Sequence, residues 1–265
     1  MKHEAAEIER RLTGVLQGYP ALAIAVSGGV DSLTLATVAQ KVMGVPPLIV
    51  HAVSPAVPPA ATVRVRRHAE ARGWELRELV AGEMADPNYV ANPYDRCYYC
   101  KTNLYGTIRS ITDRPIASGT NRDDLSDYRP GLKAAAEHGV VHPFVESGIA
   151  KRDIRIIARH HGLDCAELPA QPCLASRVET GMPIRAGELD FIDRLESEFR
   201  EALGERITVR VRIRAQGVFV EVKEAIDDAL APALEETARR LCGQTDLPFR
   251  AIVPYRQGSA FVDAG

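Results

Sequence analysis

This chain of 265 residues is short of the features that mark special classes. Aromatic residues make up 6% of it, with a single Trp, and the formal net charge is only -2. Such a balance weighs against a large polyanionic partner, because phosphates on tRNA or DNA are usually met by Lys and Arg. No nucleic-acid partner is expected beyond what a local basic patch could hold. No apolar run approaches the roughly 20 residues of a membrane span. The opening MKHEAAEIERR puts charges where a secretory signal needs an apolar segment. The expectation is a cytoplasmic protein with no membrane partner. Five cysteines, an odd number in a reducing compartment, argue against a disulfide framework and leave metal or sulfur chemistry. With 46% apolar and 26% charged residues the composition is that of an ordinary globular protein, long enough for one large core or two domains.

The most informative stretch is Ala21–Ser32, ALAIAVSGGVDS, where an apolar β-type run delivers a Ser-Gly-Gly-x-Asp-Ser turn onto a helical pattern. Gly28 and Gly29 lack a Cβ, so the backbone there can take positive φ and approach an anion closely. The N–H groups from Ser27 through Ser32 and the positive end of the following helix complete a phosphate cradle. It is not a Walker A loop, because no Gly-Lys-Ser/Thr follows at the required spacing. A carboxylate such as Asp31, about 4 Å from a phosphate oxygen, would be repelled by roughly 4 kcal/mol at an effective dielectric near 20. Asp31 therefore implies a bridging Mg2+ or faces away. A ligand-free βα turn would leave two Gly, two Ser and an Asp in six positions unexplained.

Ala5, Ile8, Leu12 and Val15 predict a leading amphipathic helix. Strands are expected at Ala21–Val26, Leu48–Val53, Trp74–Leu79 and Pro115–Ser118. Helices are expected at Ser32–Val42, Pro59–Arg72, Cys97–Arg109 and Ala150–His161. This alternation predicts an α/β fold, a parallel sheet with helices on both faces and its ligands beyond the carboxyl ends of the strands. Gly119, Thr120 and Asn121 end the fourth strand, and the Gly119–Asp124 turn could hold ribose hydroxyls or Mg2+ or be no more than a capped turn. Leu168 to Arg185 reads as a long functional loop. A helix at Gly187–Leu203, strands at Ile207–Arg214 and Val218–Val222, a helix near Asp228–Leu241 and a strand near Phe249–Val253 predict a smaller C-terminal α+β domain. The expected domains are 1–170 and 171–265.

Cys97-Tyr98-Tyr99-Cys100 opens a helix that Asn92 or Asp95 could cap, and cysteines three apart share a helical face. Helix-terminal N–H groups, Arg96 and Lys101 would favour the thiolates. A CxxC can be a redox pair, half of a zinc site or part of an iron–sulfur cluster. Cys173, in the proline-rich PCLASR beside Arg177, adds a third thiol, and three thiolates would leave one iron of a [4Fe–4S] cluster open. Cys165 and Cys242 read as small buried hydrophobes. Arg210, Arg212 and Arg214 alternate with Val209, Val211 and Ile213, which places three guanidiniums on one strand face; this is a phosphate or carboxylate site or a solvated face.

SGGVDS resembles the PP-loop signature of ATP pyrophosphatases. Together with DRCYYCK, ASGTNRDDLSDYRPG, PCLASR, VRVR and YRQGS, in this order and spacing, it makes nearly the whole chain resemble the LarE-type ATP-dependent sulfur transferases. Those enzymes act in assembly of the nickel-pincer nucleotide cofactor. The resemblance implies a PP-loop domain that binds ATP and Mg2+, adenylates a carboxylate of a pyridinium dicarboxylate mononucleotide, releases pyrophosphate and yields a thiocarboxylate. It also implies Ser27, Gly28, Gly29, Asp31 and Ser32 as the pyrophosphate cradle, and Lys101, Ser176, Arg177, Arg210 and Arg212 as substrate contacts. Cys97, Cys100 and Cys173 would carry a [4Fe–4S] cluster, as in the cluster-bearing members, whereas others sacrifice one cysteine sulfur. Glu196 and Asp227 would be metal-binding carboxylates. A sulfide donor system, cofactor-biosynthesis partner proteins and a homohexamer are implied with them. One departure stands out: after the second strand arginine many relatives carry histidine, and here Ile213-Arg214-Ala215 follows, which bears on the identity of the acceptor. Two other readings share these residues, a PP-loop tRNA thiolase and a non-catalytic nucleotide sensor with a structural metal.

Overall fold

The computed structural model describes residues 2–125, 130–256 and 258–260. Ser126–Arg129 of the DYRPG stretch and Gln257 of YRQGS lie outside the described residues. In chain order the first half forms α1 (Lys2–Leu16), β1 (Ala23–Val26), α2 (Val30–Val42), β2 (Leu48–Ala52), α3 (Pro59–Arg72), β3 (Glu75–Leu79), α4 (Pro87–Val90), α5 (Arg96–Ile111) and β4 (Ile116–Ala117). There follow α6 (Pro130–Glu137), α7 (Pro143–Glu146), α8 (Lys151–His160), α9 (Ala186–Leu203), β5 (Val209–Arg214), β6 (Gly217–Val222), α10 (Ala231–Cys242) and β7 (Phe249–Pro254). They group into two units, one of residues 2–83 with 97–168 and one of residues 84–96 with 169–260.

The first unit is a mixed α/β structure of Rossmann-like type, with four parallel strands in the order β3-β2-β1-β4. β1, β2 and β4 are short apolar runs, and residues of β1 and β2 alternate between two cores, whereas β3 is an edge strand of charged residues and leucines. Leu22, Ile24 and Val26 face α1, α2 and α8 through Leu12, Leu33 and Ile154. Ala23, Leu48 and Val50 face α5 and α6 through Leu104, Ile108 and Ala135. In α1 the buried face runs through Ala5, Ile8, Leu12 and Leu16, so Val15, expected on it, is only half buried. The chain winds from β1 outward through β2 and β3, then crosses to the other side of β1 to form β4. That reversal opens a crevice at the carboxyl ends of β1 and β4, where open α/β sheets take their ligands.

In the second unit β5 and β6 form an antiparallel hairpin, with Arg214 opposite Gly217 and Arg210 opposite Glu221, and β7 adds a parallel strand to β6. Val209, Val211, Ile213, Val218, Val220 and Val222 are buried on the face shared with the apolar stripe of α9. The expected long loop at 168–185 contains one 3-10 turn, Leu174–Arg177. Among the described residues no helix is long and apolar enough to cross a membrane.

Candidate functional site

The turn between β1 and α2 is three residues long, Ser27-Gly28-Gly29. The helix begins at Val30, two residues before the expected start, so Asp31 and Ser32 lie inside its first turn. Leu33 N–H makes the first intrahelical bond, to Gly29 O at 3.1 Å, which leaves the amides of Val30, Asp31 and Ser32 without intrahelical acceptors. Gly28 has φ +80°, and a Cβ there would stand 2.7 Å from Ala61 O on α3. Gly29 differs from the expectation of positive φ: it caps α2 in extended conformation at φ -83°. Ser27 N–H donates to Ser32 Oγ at 3.1 Å, and Ser32 Oγ–H to Gly29 O at 3.2 Å. Beneath the turn Arg64 Nη1 donates to Gly28 O at 2.8 Å. Buried His51 joins Val26 O to Thr62 Oγ1, both at 2.9 Å, and burial lowers its pKa, which keeps it neutral.

The end of β4 closes the other side of this crevice. A Cβ on Gly119 would lie 2.8 Å from Ser32 N, so only glycine lets the two strand ends come this close. Ser118 Oγ is within 2.9 Å of both Thr120 Oγ1 and His142 Nδ1. Asn121, expected among the nucleotide contacts, is instead committed to its own turn. Its Nδ2 donates to Asp124 Oδ2 at 3.0 Å, and its Oδ1 accepts from Asp123 N–H at 3.0 Å.

Sequence reasoning missed Lys151. Its Nζ donates to Asp31 Oδ2 at 2.5 Å, and its backbone N–H is held by Asp123 Oδ2 at 2.9 Å. Burial pushes the Asp31 carboxyl pKa up, against the pull of Lys151. Its second oxygen, Oδ1, is buried and has no hydrogen-bond partner among the described residues. An orphaned carboxylate oxygen beside a cradle of free amides is a fit for a divalent cation. The one signal for Lys151 in the sequence is its place at the start of an expected helix.

Cys97 and Cys100 are half-buried thiols, not in disulfides, one turn apart at the start of α5, a spacing that fits two ligands of one soft metal centre. Asn92, at φ +55°, donates to Glu179 O at 2.9 Å, and Arg96 N–H bonds Pro93 O at 3.0 Å. Lys101 Nζ stands 5.8 Å from the centroid of the Tyr105 ring. Cys165 and Cys242 are buried as expected; burial raises both thiols, Cys242 to about 11. His68, Asp164 and Cys165 bring ligand atoms within 4.8 Å of one another. They make a poor cation site, because Arg64, Arg67 and Arg72 already surround them: burial, then these guanidiniums, push His68 down to about 4.

In the second unit Arg177, Arg210 and Arg212 are buried, not solvated, and Arg214 is half buried. Arg177 is 2% exposed, and its Nε and Nη2 form a fork with the two oxygens of Glu196 at 2.8 and 3.1 Å. Glu196 also accepts from Arg200 Nη1 at 3.2 Å and Val211 N–H at 3.1 Å. Burial alone would raise its pKa; the guanidinium of Arg177 holds it below the usual range. Both oxygens of Glu196, expected as a metal-binding carboxylate, thus serve four donors. Asp227, also expected to bind metal, accepts Ala229 N–H at Oδ1 at 2.9 Å in the turn before α10, which begins at Ala231. The same guanidiniums hold the Cys173 loop. Arg177 Nη1 donates to Pro172 O at 2.7 Å, Cys173 O at 3.1 Å and Ser176 Oγ at 3.0 Å; Arg212 Nη1 donates to Ser176 O at 3.0 Å; Arg210 Nη2 donates to Ala170 O. Arg177, Arg210 and Arg212, expected as substrate contacts, thus act first as clamps on the loop.

Glu221, also missed, is the counter-charge of the sheet. It binds Arg212 Nε and Arg214 Nη2 at 2.9 Å each and Ser259 Oγ at 2.5 Å. A charge between Val220 and Val222, opposite Arg210 in a two-residue hairpin, was its signal in the sequence. Arg177, Arg200, Arg210, Arg212 and Arg214 lie among Glu196, Glu221 and, beside Arg177 and Arg200, Asp193, so among the described residues five guanidiniums meet three carboxylates. Burial, and then Arg177 alongside, pull Arg210 down to about 10. A Glu196→Gln chain should lose about 3–5 kcal/mol of stability, because Arg177 would stay buried without its anion. Urea unfolding measures this, and a loss under about 1 kcal/mol would leave Glu196 without the structural role assigned here.

No protein-family model matches the chain. An uncharacterised protein of Synechocystis sp. is 39% identical over 191 residues, 71% of each chain. An uncharacterised protein of Methanocaldococcus jannaschii is 28% identical over 71% of this chain and 72% of its own. A pyridinium-3,5-bisthiocarboxylic acid mononucleotide synthase of Lactiplantibacillus plantarum is 27% identical over 219 residues, 81% of this chain and 79% of its own. The chain belongs to one family with the Synechocystis protein, and the more distant synthase supports its place among the LarE-type proteins.

Proposed function

We propose that the protein is a PP-loop sulfur transferase that uses ATP to activate a carboxylate of a pyridinium dicarboxylate mononucleotide and replaces an oxygen of it with sulfur. The observation that carries this reading is the turn at Ser27–Ser32, where Gly28 and Gly119 admit no side chain and three helix amides are free of intrahelical acceptors. An acceptor carboxylate oxygen attacks the α-phosphorus of ATP, the bond to the β-phosphate bridging oxygen breaks, and pyrophosphate leaves. The amides of Val30, Asp31 and Ser32, the positive end of α2 and Lys151 receive that charge, and Asp31 would hold a Mg2+ ion whose charge would offset the rest. Sulfur then attacks the acyl carbon and expels AMP.

Cys97, Cys100 and Cys173 are the residues assigned to sulfur delivery. A [4Fe–4S] cluster on these three thiolates would supply an open Lewis-acidic iron for an additional sulfide. The clamp of Arg177, Arg210 and Arg212 keeps the Cys173 loop in one conformation, which lowers the entropy lost when the thiol is brought to its task. The 27% identity to a synthase whose name specifies a bisthiocarboxylic acid mononucleotide supports this acceptor class.

The test is 31P NMR of the anaerobic protein with ATP, Mg2+ and the dicarboxylate mononucleotide. Equal amounts of AMP and pyrophosphate are expected. Formation of ADP and phosphate, or no turnover of ATP, overturns the reading.

A further inference from the structure

The polar face of the β5–β6 hairpin carries one guanidinium that the Cys173 loop does not use. Arg212 and Arg214 share the single carboxylate of Glu221, so the pair retains one positive charge. Among the described residues Arg214 makes one hydrogen bond, from Nη2 to Glu221 Oε1 at 2.9 Å. Its Nε is buried with no partner, while 23% of the side chain stays exposed. The head is nevertheless fixed. Its Cζ stacks 4.9 Å over the Phe219 ring, Ser259 Oγ donates to the same Glu221 Oε1 that Arg214 uses, and Arg212 Nε holds the other oxygen, Oε2. A rigid, flat fork with unused donors and net charge is what a carboxylate or phosphate oxyanion selects. Arg177, Arg210 and Arg212, each 5% exposed or less and bonded to loop atoms, are poorly placed to do the same.

We infer that Arg214 reads an oxyanion of the acceptor and so sets the enzyme's preference for an acceptor with more than one anionic group, the others on the strand serving as loop clamps. Adjacent same-face positions on a strand lie about 7 Å apart. Arg214 therefore lies about 7 Å along the strand from Arg212 and about 14 Å from Arg210, the two strand arginines that clamp the loop. This deepens the adenylation reading and rests on it for the identity of the ligand.

The experiment is calorimetric titration of the whole chain, without ATP, with pyridine-3,5-dicarboxylate and separately with inorganic phosphate. Arg214→Gln should weaken binding of one probe at least tenfold, while Arg206→Gln, which removes an exposed charge elsewhere, should change it less than twofold. Loss confined to the dicarboxylate assigns the subsite to the carboxylate; loss confined to phosphate assigns it to the acceptor phosphate. Arg214→Lys keeps the charge without the fork and should fall in between; it also replaces the glutamine variant if that chain unfolds. Unchanged affinity in both variants, or no binding of either probe by the native chain, overturns the inference. A chain that binds through Arg214 yet makes no pyrophosphate overturns the adenylation reading alone.

Discussion

Gly28→Ala should abolish nucleotide binding, with affinity for ATP falling at least 100-fold while the rest of the chain stays folded. Two separate penalties meet at this position. The residue sits at φ +80°, where an L side chain costs roughly 1 kcal/mol relative to glycine. The new Cβ would also stand 2.7 Å from Ala61 O and 3.0 Å from Ala61 Cβ, atoms of α3 that cannot yield as a flexible side chain would. Relief requires the turn to move away from α3, which breaks the Arg64–Gly28 O bond and displaces the amides of Val30, Asp31 and Ser32 that the proposed function assigns to the phosphates. Gly73 separates the two penalties. It has φ +62° but open space around it, so Gly73→Ala bears only the conformational cost. Equilibrium dialysis with ATP on both variants gives the comparison. If Gly28→Ala binds ATP as Gly73→Ala does, the turn is not the nucleotide site.

The turn was readable from sequence because its signals are local: an apolar run, two glycines and a helical pattern. Strands β1 to β4 were readable for the same reason, each bounded by Gly or Pro. Short α6, in contrast, has only eight residues and gives too few periods to separate from loop. The alternation of Arg210, Arg212 and Arg214 did reveal a strand with its guanidiniums on one face. It could not reveal that the face is covered, because the covering groups come from a loop some forty residues earlier and from Glu196 on α9. Chemically the same fork serves an anionic substrate or a backbone carbonyl; burial and partners decide between them. Lys151 and Asp31 are 120 positions apart, joined only by the packing of α8 on α2, so the pair is a property of the fold and not of any motif.

Separation of activation from sulfur delivery leads to the second large effect. Cys173→Ala should reduce thiocarboxylate formation below about one thousandth of the native rate, while pyrophosphate release from ATP and acceptor stays within about threefold. The physical ground is the division of labour in the proposed function, in which adenylation rests on Gly28, Asp31, Ser32 and Lys151 and sulfur transfer rests on the Cys173 thiol. Cys173 Sγ makes no hydrogen bond within the second unit among the described residues, and its loop is held through carbonyls of Pro172 and Cys173 that alanine leaves in place. The variant should therefore fold normally. Cys242→Ala is the matching control: that thiol is buried with its pKa raised to about 11, too far from thiolate to deliver sulfur at neutral pH. Mass spectrometry of the acceptor, run beside a pyrophosphate assay, reads both steps on the same sample. Retained thiocarboxylate in Cys173→Ala would remove this cysteine from sulfur delivery, and a parallel loss of pyrophosphate would show that the two steps share it.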